Sequence, residues 1–378
     1  MLQNKIYQNF LIDILKTFFI ILFGLSIIAW TVRAVNFLDL IVESGYSVTT
    51  YFHYSFLNLF GIITKFIPLS FLLSLVFFII KQTQEKEFII LWTSGVKKTK
   101  IVNLLFTISI IVLFIYITFA ALLTPYSLNK SRLLLSKDGF NSFLPTIRIQ
   151  QFSDSFKGFT FIVDKKVKNE IKNVFIHDSS NTLKNIVSNT TSGQSTTIVA
   201  KEGIVEEKTM LLFNGQIIST DKNKFENNVI KFEQLNINLK NLETDTIKDP
   251  KLQETSTISL AKCILKPLKE EAINCKENTK KEIITVLNRR LVLPLYIPII
   301  SLLSSFLLIK VHSKKNFFLN KYSVFLYSFL ILLYAELIIR YTGISKIANI
   351  VFFVSPIFLI PIIYIFLSFK LSKEAFSK

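Results

Sequence analysis

The sequence predicts a membrane α-helical fold in which six transmembrane helices, three plus three, flank an inserted antiparallel β domain. Three observations predict this fold class. Hydrophobic residues make up 51% of the chain, and apolar residues gather into six runs long enough to cross a bilayer. Between the third and fourth runs their spacing changes from about 3.6 residues to about two. The first two observations indicate a multi-pass membrane protein, and the third indicates a β domain between its halves.

Each apolar run approaches the roughly 20 residues that cross a hydrocarbon core of about 30 Å. The runs lie at about 11–32, 54–80, 101–123, 291–309, 322–339 and 348–369. The first run has no small-residue cleavage site and leads into further runs, so we interpret it as a retained helix and not as a signal peptide. Ile6, Phe10 and Ile14 recur at a spacing of four, which predicts an interfacial helix before the first span.

The formal charge of +18 would favour nucleic-acid binding only if it covered a soluble domain. Most of the basic excess instead lies in short loops between apolar runs, so we expect no nucleic-acid partner. The lysines of two loops and the tail are Lys81, Lys86, Lys97, Lys98, Lys100, Lys310, Lys314, Lys315, Lys321, Lys370, Lys373 and Lys378. The alternate loops 33–53 and 340–347 are poorer in basic residues, which predicts cytoplasmic termini and an extracytoplasmic insert.

The insert shows the alternation that is typical of half-buried strands. In "GFTFIVDKK", Phe159, Phe161 and Val163 alternate with polar residues, and the pattern recurs in "IKNVFIHDS", "TIVAKEGIVEE", "TMLLFNGQIIST" and "NNVIKFEQLNINL". Several short strands without clear helical stretches favour an antiparallel sandwich, barrel or jelly roll. This pattern does not distinguish an ordinary core from one that binds a lipid-like ligand. The predicted domains are 1–124, 125–288 and 289–378.

Residues for catalysis or metal binding are not apparent. Cys263 and Cys275 are the only cysteines, and in an oxidising compartment they form a disulfide or remain two thiols, because their spacing does not fix Cβ geometry. The three histidines lie away from them, so we expect no metal site. The sequence has no GxxxxGK[ST], HExxH or GxSxG motif. We therefore predict no catalytic residue and no cofactor, and any transport must draw energy from a partner or an ion gradient.

Few ionisable residues are predicted near membrane depth, where they are costly. Glu336 and Arg340 are four residues apart on one predicted helix. They either have a functional role or pair with each other, and we favour the pair. Arg33 and Lys65 lie toward the extracytoplasmic ends of the first and second spans. They either extend to the interface or bind an anionic lipid headgroup, and both are candidate lipid-binding residues.

The loop between the second and third runs has the most unusual pattern. Residues about 84–95, within "KQTQEKEFIILWTSGVKKTKI", predict a short cytoplasmic helix that starts with acids and ends at a glycine. Its candidate residues are Glu85, Glu87, Phe88, Leu91, Trp92 and Gly95. The apolar stripe either lies on lipid or docks, with the acids, into a groove on a soluble partner. Because the chain has no nucleotide site, we favour a helix that couples the membrane part to an energy-supplying partner.

With these features in this order, the chain resembles the LptF/LptG (YjgP/YjgQ) lipopolysaccharide-export permease family over essentially its whole length. "EFIILWTSG" is similar to the family's acid-to-glycine coupling segment. "NRRLVLPLYIPIISLL" resembles the family's entry into the fourth span, with Arg289, Arg290 and Pro294 at the matching positions. "VFIHDSS" and "LLFNGQI" look more like the LptF-type subunit than the LptG-type.

The resemblance implies a permease subunit of an ABC-type exporter in the bacterial inner membrane, with a jelly-roll-like periplasmic domain. Its implied partners are lipopolysaccharide, an LptG-type sister permease, a cytoplasmic LptB-type ATPase dimer, a single-span LptC-type protein and a periplasmic LptA-type bridge. By the same resemblance Glu87 contacts the ATPase with Glu85 beside it, and Arg33 meets lipid phosphates. Lys65 matches no family motif and rests on its predicted depth alone.

Three other classes remain open from the residues themselves. A permease that extracts lipoproteins or transmits force to periplasmic enzymes usually has its large domain after the first span, whereas here the insert follows the third. A passive membrane scaffold would leave the loop acids without a role. A solute:ion symporter would show broken or polar helices in both halves.

Overall fold

The chain is described by a computed structural model over residues 5–42, 46–138, 147, 149–156, 158–179, 194–206, 209–221, 227–238, 250–265, 279–309 and 321–376. Two compact units are present. The membrane unit comprises Met1–Thr31, Asn58–Asn129 and Pro250–Lys378, and the β unit comprises Val32–Leu57 and Lys130–Asp249. The described residues of 250–288 group with the membrane helices and those of 32–57 with the strands; the domain limits 1–124, 125–288 and 289–378 stay a prediction.

The described helices follow the apolar runs and extend several of them. They are α1 (Lys5–Asn36), α2 (Asp39–Val42), α3 (Val48–Gln84), α4 (Glu87–Thr93), α5 (Lys98–Thr118), a π-helix (Phe119–Leu123), α6 (Thr124–Asp138), α7 (Thr257–Leu265), α8 (Lys280–Leu291), α9 (Tyr296–Ser304), α10 (Lys321–Ile339) and α11 (Lys346–Phe376). Two short 3₁₀ helices, Leu293–Leu295 and Ser305–Leu308, flank α9.

Six stretches of the described chain are long and apolar enough to cross a membrane. They are Lys5–Ile41, Val48–Gln84, Lys98–Leu135, Lys280–Leu308, Tyr322–Ile339 and Lys346–Ser372. Their number and order confirm the prediction of three spans on either side of the insert. Most of them are longer than the predicted runs, because polar residues at their ends continue the helix.

The first span differs from the prediction at its start. α1 is one continuous helix of 32 residues, so the described residues contain no separate interfacial helix before it. Its buried face repeats every three or four residues, at Tyr7, Phe10, Ile14, Phe18, Leu22 and Ser26. Ile6, expected on the same stripe, is exposed. The regular spacing keeps one face against the core from the first turn onward, so the helix needs no break before it enters the membrane.

The core of the membrane unit is centred on α9. Every residue of α9 except Leu303 is buried, and α5, α10 and α11 pack against it. Pro294 and Pro298 lie near its start, where the missing backbone N–H groups interrupt the helical ladder. The fourth span is therefore a segmented helix of α8, a 3₁₀ turn, α9 and a second 3₁₀ turn.

The described strands form one antiparallel sheet in sequence order. They are β1 (Ser153–Phe156), β2 (Phe159–Val167), β3 (Glu170–Asp178), β4 (Gln194–Val205), β5 (Thr209–Asp221) and β6 (Asn227–Asn238). Each strand pairs with the next, so the described part is a six-stranded meander. The predicted antiparallel β domain is confirmed, and among the described strands no connection crosses over another.

The alternation read from the sequence sets the inner face of the sheet. Phe159, Phe161 and Val163 are buried along β2, and the register places Phe161 opposite Ile176 and Val163 opposite Val174 on β3. These residues belong to one apolar cluster of the β unit. The insert also contains helical residues that the sequence pattern did not indicate, since α6, α7 and the start of α8 lie within 125–288.

Candidate functional site

The predicted coupling segment, residues 81–101, forms a short helix set off by a turn. α3 ends at Gln84, Glu85 and Lys86 form the turn, and α4 begins at Glu87. Lys86 adopts the left-handed conformation with φ of 60°, which is uncommon for a residue with a Cβ. Glu87 lies in the first turn of α4, where its negative charge interacts favourably with the helix dipole. α4 is seven residues long, and the turn leaves Glu85 outside the helix.

The end of α4 is fixed by a Schellman motif. Gly95 has φ of +88°, and its N–H donates to the carbonyl of Trp92 at 3.2 Å. The N–H of Val96 donates to the carbonyl of Leu91 at 3.0 Å, so two terminal carbonyls of the helix are satisfied. Glycine adopts this backbone conformation without steric cost. Gly95 therefore ends the helix, as the sequence predicts.

One face of α4 is packed into the membrane unit by aromatic contacts. The Phe88 ring lies 6.2 Å from Phe10 of α1 and 6.3 Å from Phe78 of α3, both edge to face. Trp92 stacks on Phe88 with centroids 5.9 Å apart, and the Lys98 ammonium lies 4.7 Å above the Trp92 ring. Edge-to-face ring pairs are favourable. α4 is thus fastened to the two helices that precede it.

The burial of Phe88 and Leu91 shows which way the apolar stripe of α4 faces. Phe88 is 1% exposed and Leu91 is 9% exposed, so their side chains face the chain's own core and neither lipid nor a partner. The exposed face of α4 carries Glu87, Ile89 and Ile90, and Ile90 is 64% exposed. Spacing identified Phe88, Leu91 and Trp92 as one face, but it could not show which way that face points.

The candidate lipid-binding residues are both exposed. Arg33 lies in the last turn of α1, in a helical hairpin where the Tyr51 hydroxyl donates to the carbonyl of Ala34 at 2.9 Å. Lys65 lies on α3 in the membrane unit, beside a buried Thr64. The two residues belong to different compact units, and each remains a prediction.

The expected pair of Glu336 and Arg340 is wrong. The Glu336 carboxylate is 3.2 Å from Nη2 of Arg289 on α8, and Arg340 lies in the turn after α10 with an exposed side chain. Arg289 reaches Glu336 because α8 packs against α10. A partner on another helix, 47 residues away in sequence, could not be found from helical spacing.

The neighbouring Arg290 forms a buried polar cluster that sequence reasoning missed. We call this cluster, made of Arg290, Leu252, Gln253, Thr255, Thr257 and Ala121, the arginine junction. Arg290 is 5% exposed. Its Nη1 donates to the carbonyl of Thr255 and to Oγ1 of Thr257, both at 2.9 Å. Its Nη2 donates to the carbonyls of Gln253 at 2.9 Å and Leu252 at 3.4 Å.

The arginine junction reaches the first half of the chain through the π-helix after α5. A π-helix changes the backbone hydrogen-bonding register, and Thr257 Oγ1 donates to the Ala121 carbonyl there at 2.7 Å. Four hydrogen bonds to uncharged oxygens compensate the desolvation of the Arg290 guanidinium. The "NRR" run identified both arginines, but it gave no indication of their different partners.

The remaining candidate residues are only partly described. Cys263 on α7 is disulfide-bonded and 3% exposed. Cys275 lies outside the described residues, so the pairing of Cys263 with Cys275 remains a prediction. Over the described stretches, no group of three or more His, Cys, Asp or Glu side chains is placed to bind a metal ion.

Six apolar helices, an antiparallel sheet inserted in sequence between the third and fourth spans, and a short amphipathic helix between the second and third spans define a multi-pass membrane protein of the permease class. The family described as "Lipopolysaccharide export system permease LptF/LptG" matches residues 10–373. Because the match covers nearly the whole chain, the protein belongs to this family and is a permease of lipopolysaccharide export, not a catalytic enzyme. A comparison with curated proteins finds no match.

Proposed function

We propose that this chain is the LptF-type permease subunit of an ABC-type exporter that extracts lipopolysaccharide from the inner membrane. It passes the lipid to a periplasmic LptA-type bridge with the help of a single-span LptC-type partner. An LptG-type sister subunit completes the membrane part, and a separate cytoplasmic LptB-type ATPase dimer supplies the energy. The observation that carries the proposal is the construction of α4.

α4 is suited to transmit force because its two faces have different tasks. The inner face is fixed to α1 and α3 by the rings of Phe88, Phe10 and Phe78. The outer face presents the Glu87 carboxylate beside the exposed Ile89 and Ile90. An apolar pair with an adjacent charge suits a groove on a soluble protein, where the apolar groups supply affinity and the charge supplies orientation. Movement of a docked ATPase would then reach the spans through the aromatic contacts.

The charge distribution supports the orientation that this mechanism needs. The loop that contains α4 carries five of the lysines named above, and basic loops stay on the cytoplasmic side. The strands β1 to β6, which follow the third span, would then lie in the periplasm. Arg33 and Lys65, toward the outer ends of their spans, would meet the phosphates of the lipid before it leaves the membrane.

The test is charge reversal at the exposed face of α4. We expect Glu87→Lys to weaken co-purification of the ATPase at least about tenfold, because a charge of the wrong sign at a docked surface opposes association. Membrane insertion should stay unchanged, and the cost in stability should not exceed about 1 kcal/mol, since Glu87 is exposed and loses only its interaction with the helix dipole. The matched control is Glu202→Lys on β4, an exposed glutamate of the β unit, which should leave co-purification intact.

Two results would contradict the proposal. If the Glu87→Lys variant co-purifies with the ATPase and stimulates it normally, α4 is not the docking helix. Purification of the wild-type chain with no ATPase and no sister permease would favour a passive membrane scaffold. Mass spectrometry of the affinity-purified complex distinguishes these results in one experiment.

A further inference from the structure

The ion pair between Arg289 and Glu336 is accessible, unlike the arginine junction beside it. The two charged groups are 3.2 Å apart, and their side chains are 38% and 52% exposed. Arg289 lies near the end of α8, and Glu336 lies near the end of α10. An ion pair that the protein does not enclose can be reached by a competing ligand, and at a hydrated membrane interface such a pair contributes little net stability. The pair can therefore open at small cost.

The backbone that carries the guanidinium is held independently of the ion pair. The Tyr116 hydroxyl of α5 donates to the Arg289 carbonyl at 3.2 Å, which fixes the backbone beneath the side chain. Nε of Arg289 is buried and has no hydrogen-bond partner among the described residues. The Arg289 guanidinium therefore has one N–H donor that no described residue uses, close to the accessible Glu336 carboxylate.

The end of α10 also stays in place without the ion pair. Gly343, in the turn that follows α10, lies so close to α8 that an added Cβ would collide with the carbonyl of Lys281. The turn is thus closely packed against α8 at a position that does not involve Glu336. Loss of the carboxylate from Arg289 would accordingly change one contact and would not detach the helix.

A phosphate is the chemical group most suited to replace Glu336 at this position. Arginine presents a planar set of N–H donors that binds phosphate oxygens in pairs, and a phosphate can carry more charge than a carboxylate. Arg289 lies directly before the apolar run of the fourth span, and Glu336 lies near the end of α10, so both are near the level at which lipid headgroups are found. The accessible side of the Arg289–Glu336 pair is therefore near the phosphates of the lipid headgroups.

We propose that Arg289 and Glu336 form a headgroup-exchange site, in which the phosphate of an anionic lipid displaces the Glu336 carboxylate from the Arg289 guanidinium. The assignment of lipopolysaccharide as the natural lipid of this site rests on the proposed function. The exchange itself needs no ATPase. Glu336 lowers the affinity of the empty site, because it occupies the cation until a stronger anion arrives. The Arg289 guanidinium then binds the lipid phosphate. It releases the lipid when the Glu336 carboxylate returns to it.

The test measures lipid binding to the full chain in nanodiscs without any ATPase. A photo-reactive amino acid at Leu337, which is exposed beside Glu336, reports crosslinking to phosphatidic acid in a phosphatidylcholine background. Glu336→Gln keeps the shape of the side chain and removes its charge. We expect it to increase the apparent affinity for phosphatidic acid about two- to fivefold, the factor that corresponds to loss of one accessible competing charge. Arg289→Gln should reduce crosslinking to the level of phosphatidylcholine.

The opposite signs of these two variants distinguish exchange from a purely structural ion pair. A structural pair predicts that Glu336→Gln and Arg289→Gln both lower crosslinking or both leave it unchanged, and either result overturns the proposal. Glu202→Gln, which breaks the exposed Lys172–Glu202 pair of the β unit, is the matched control and should have no effect. Inorganic phosphate is added in a parallel series, and full competition at the same concentration as the lipid would identify a free-phosphate site and overturn the headgroup assignment.

Failure of this proposal and failure of the proposed function are distinguishable. Glu87→Lys, which tests ATPase docking, should leave the crosslinking of phosphatidic acid unchanged. If Glu336→Gln and Arg289→Gln change lipid crosslinking as expected while Glu87→Lys still binds the ATPase, the exchange site is supported and the exporter mechanism is contradicted. If Glu87→Lys loses coupling while both exchange variants lower crosslinking, the exporter mechanism stands and the exchange site falls.

Discussion

The α4 segment and the arginine junction both fasten neighbouring parts of the membrane unit, but they use opposite chemistry. α4 is fixed by rings of Phe10, Phe78 and Phe88, with its charged group directed outward. The arginine junction is fixed by a buried cation whose hydrogen bonds reach four uncharged oxygens. The ring pairs are held by edge-to-face packing without hydrogen bonds between the rings, whereas the charged hydrogen bonds of Arg290 fix distance and angle. We infer that α4 is built to move with a partner and the arginine junction is built to stay rigid.

The largest expected effect comes from breaking the arginine junction. Arg290→Met should destabilise the membrane unit by about 3–5 kcal/mol, because several buried oxygens lose their donor. Thermal unfolding of the purified chain in detergent measures the change. Arg289→Met is the matched control at the next position, and it should cost at most about 1 kcal/mol because its ion pair is accessible. Equal losses from the two variants would contradict a rigid junction at Arg290.

Removal of the central ring beneath α4 should have the next largest effect. We expect Phe88→Ala to cost about 3 kcal/mol, because it leaves a cavity among buried aromatic side chains. Ile90→Ala, on the exposed face of the same helix, should change stability by less than about 0.5 kcal/mol. Chemical unfolding of both variants in detergent would show whether the two faces differ. A similar cost at both positions would mean that α4 does not pack as described.

The smallest effect is expected where α4 ends. Gly95→Ala places a Cβ in the left-handed region and should cost about 1 kcal/mol. Apart from the chain neighbours of Gly95, no heavy atom of the described residues lies within 4 Å of an added Cβ, so the cost would come from backbone conformation. Gly95→Asn, which tolerates this conformation better, should recover part of the loss. Thermal unfolding of both variants measures the difference, and an asparagine as costly as alanine would point to a steric cause.

The sequence predicted what depends on local spacing. The six spans and the inward face of β2, with Phe159, Phe161 and Val163, follow from periods of 3.6 and two residues. Gly95 as the end of α4 follows from the backbone freedom of glycine. These features depend on neighbours within one element, which a single sequence displays directly.

The features that sequence reasoning missed depend on contacts between elements. Glu336 was assigned to Arg340 because they share a helix face, but helix packing brings Arg289 closer. The stripe of Phe88 and Leu91 was correctly grouped, yet its direction depends on where α1 and α3 lie. Thr257 carries no sequence signal for the arginine junction. Its partner, the Ala121 carbonyl, lies in the π-helix that follows α5, and no residue type in the sequence indicates that π-helix.

The most direct test of the account compares the two faces of α4 by photo-crosslinking in cells. A photo-reactive phenylalanine replaces the exposed Ile90 in one variant and the half-buried Trp92, which stacks on Phe88, in the other. We predict crosslinking to the cytoplasmic ATPase from position 90 and only contacts within the chain from position 92. Crosslinking of the ATPase from position 92 with none from position 90 would contradict the central claim that the outward face of α4 receives the energy for transport.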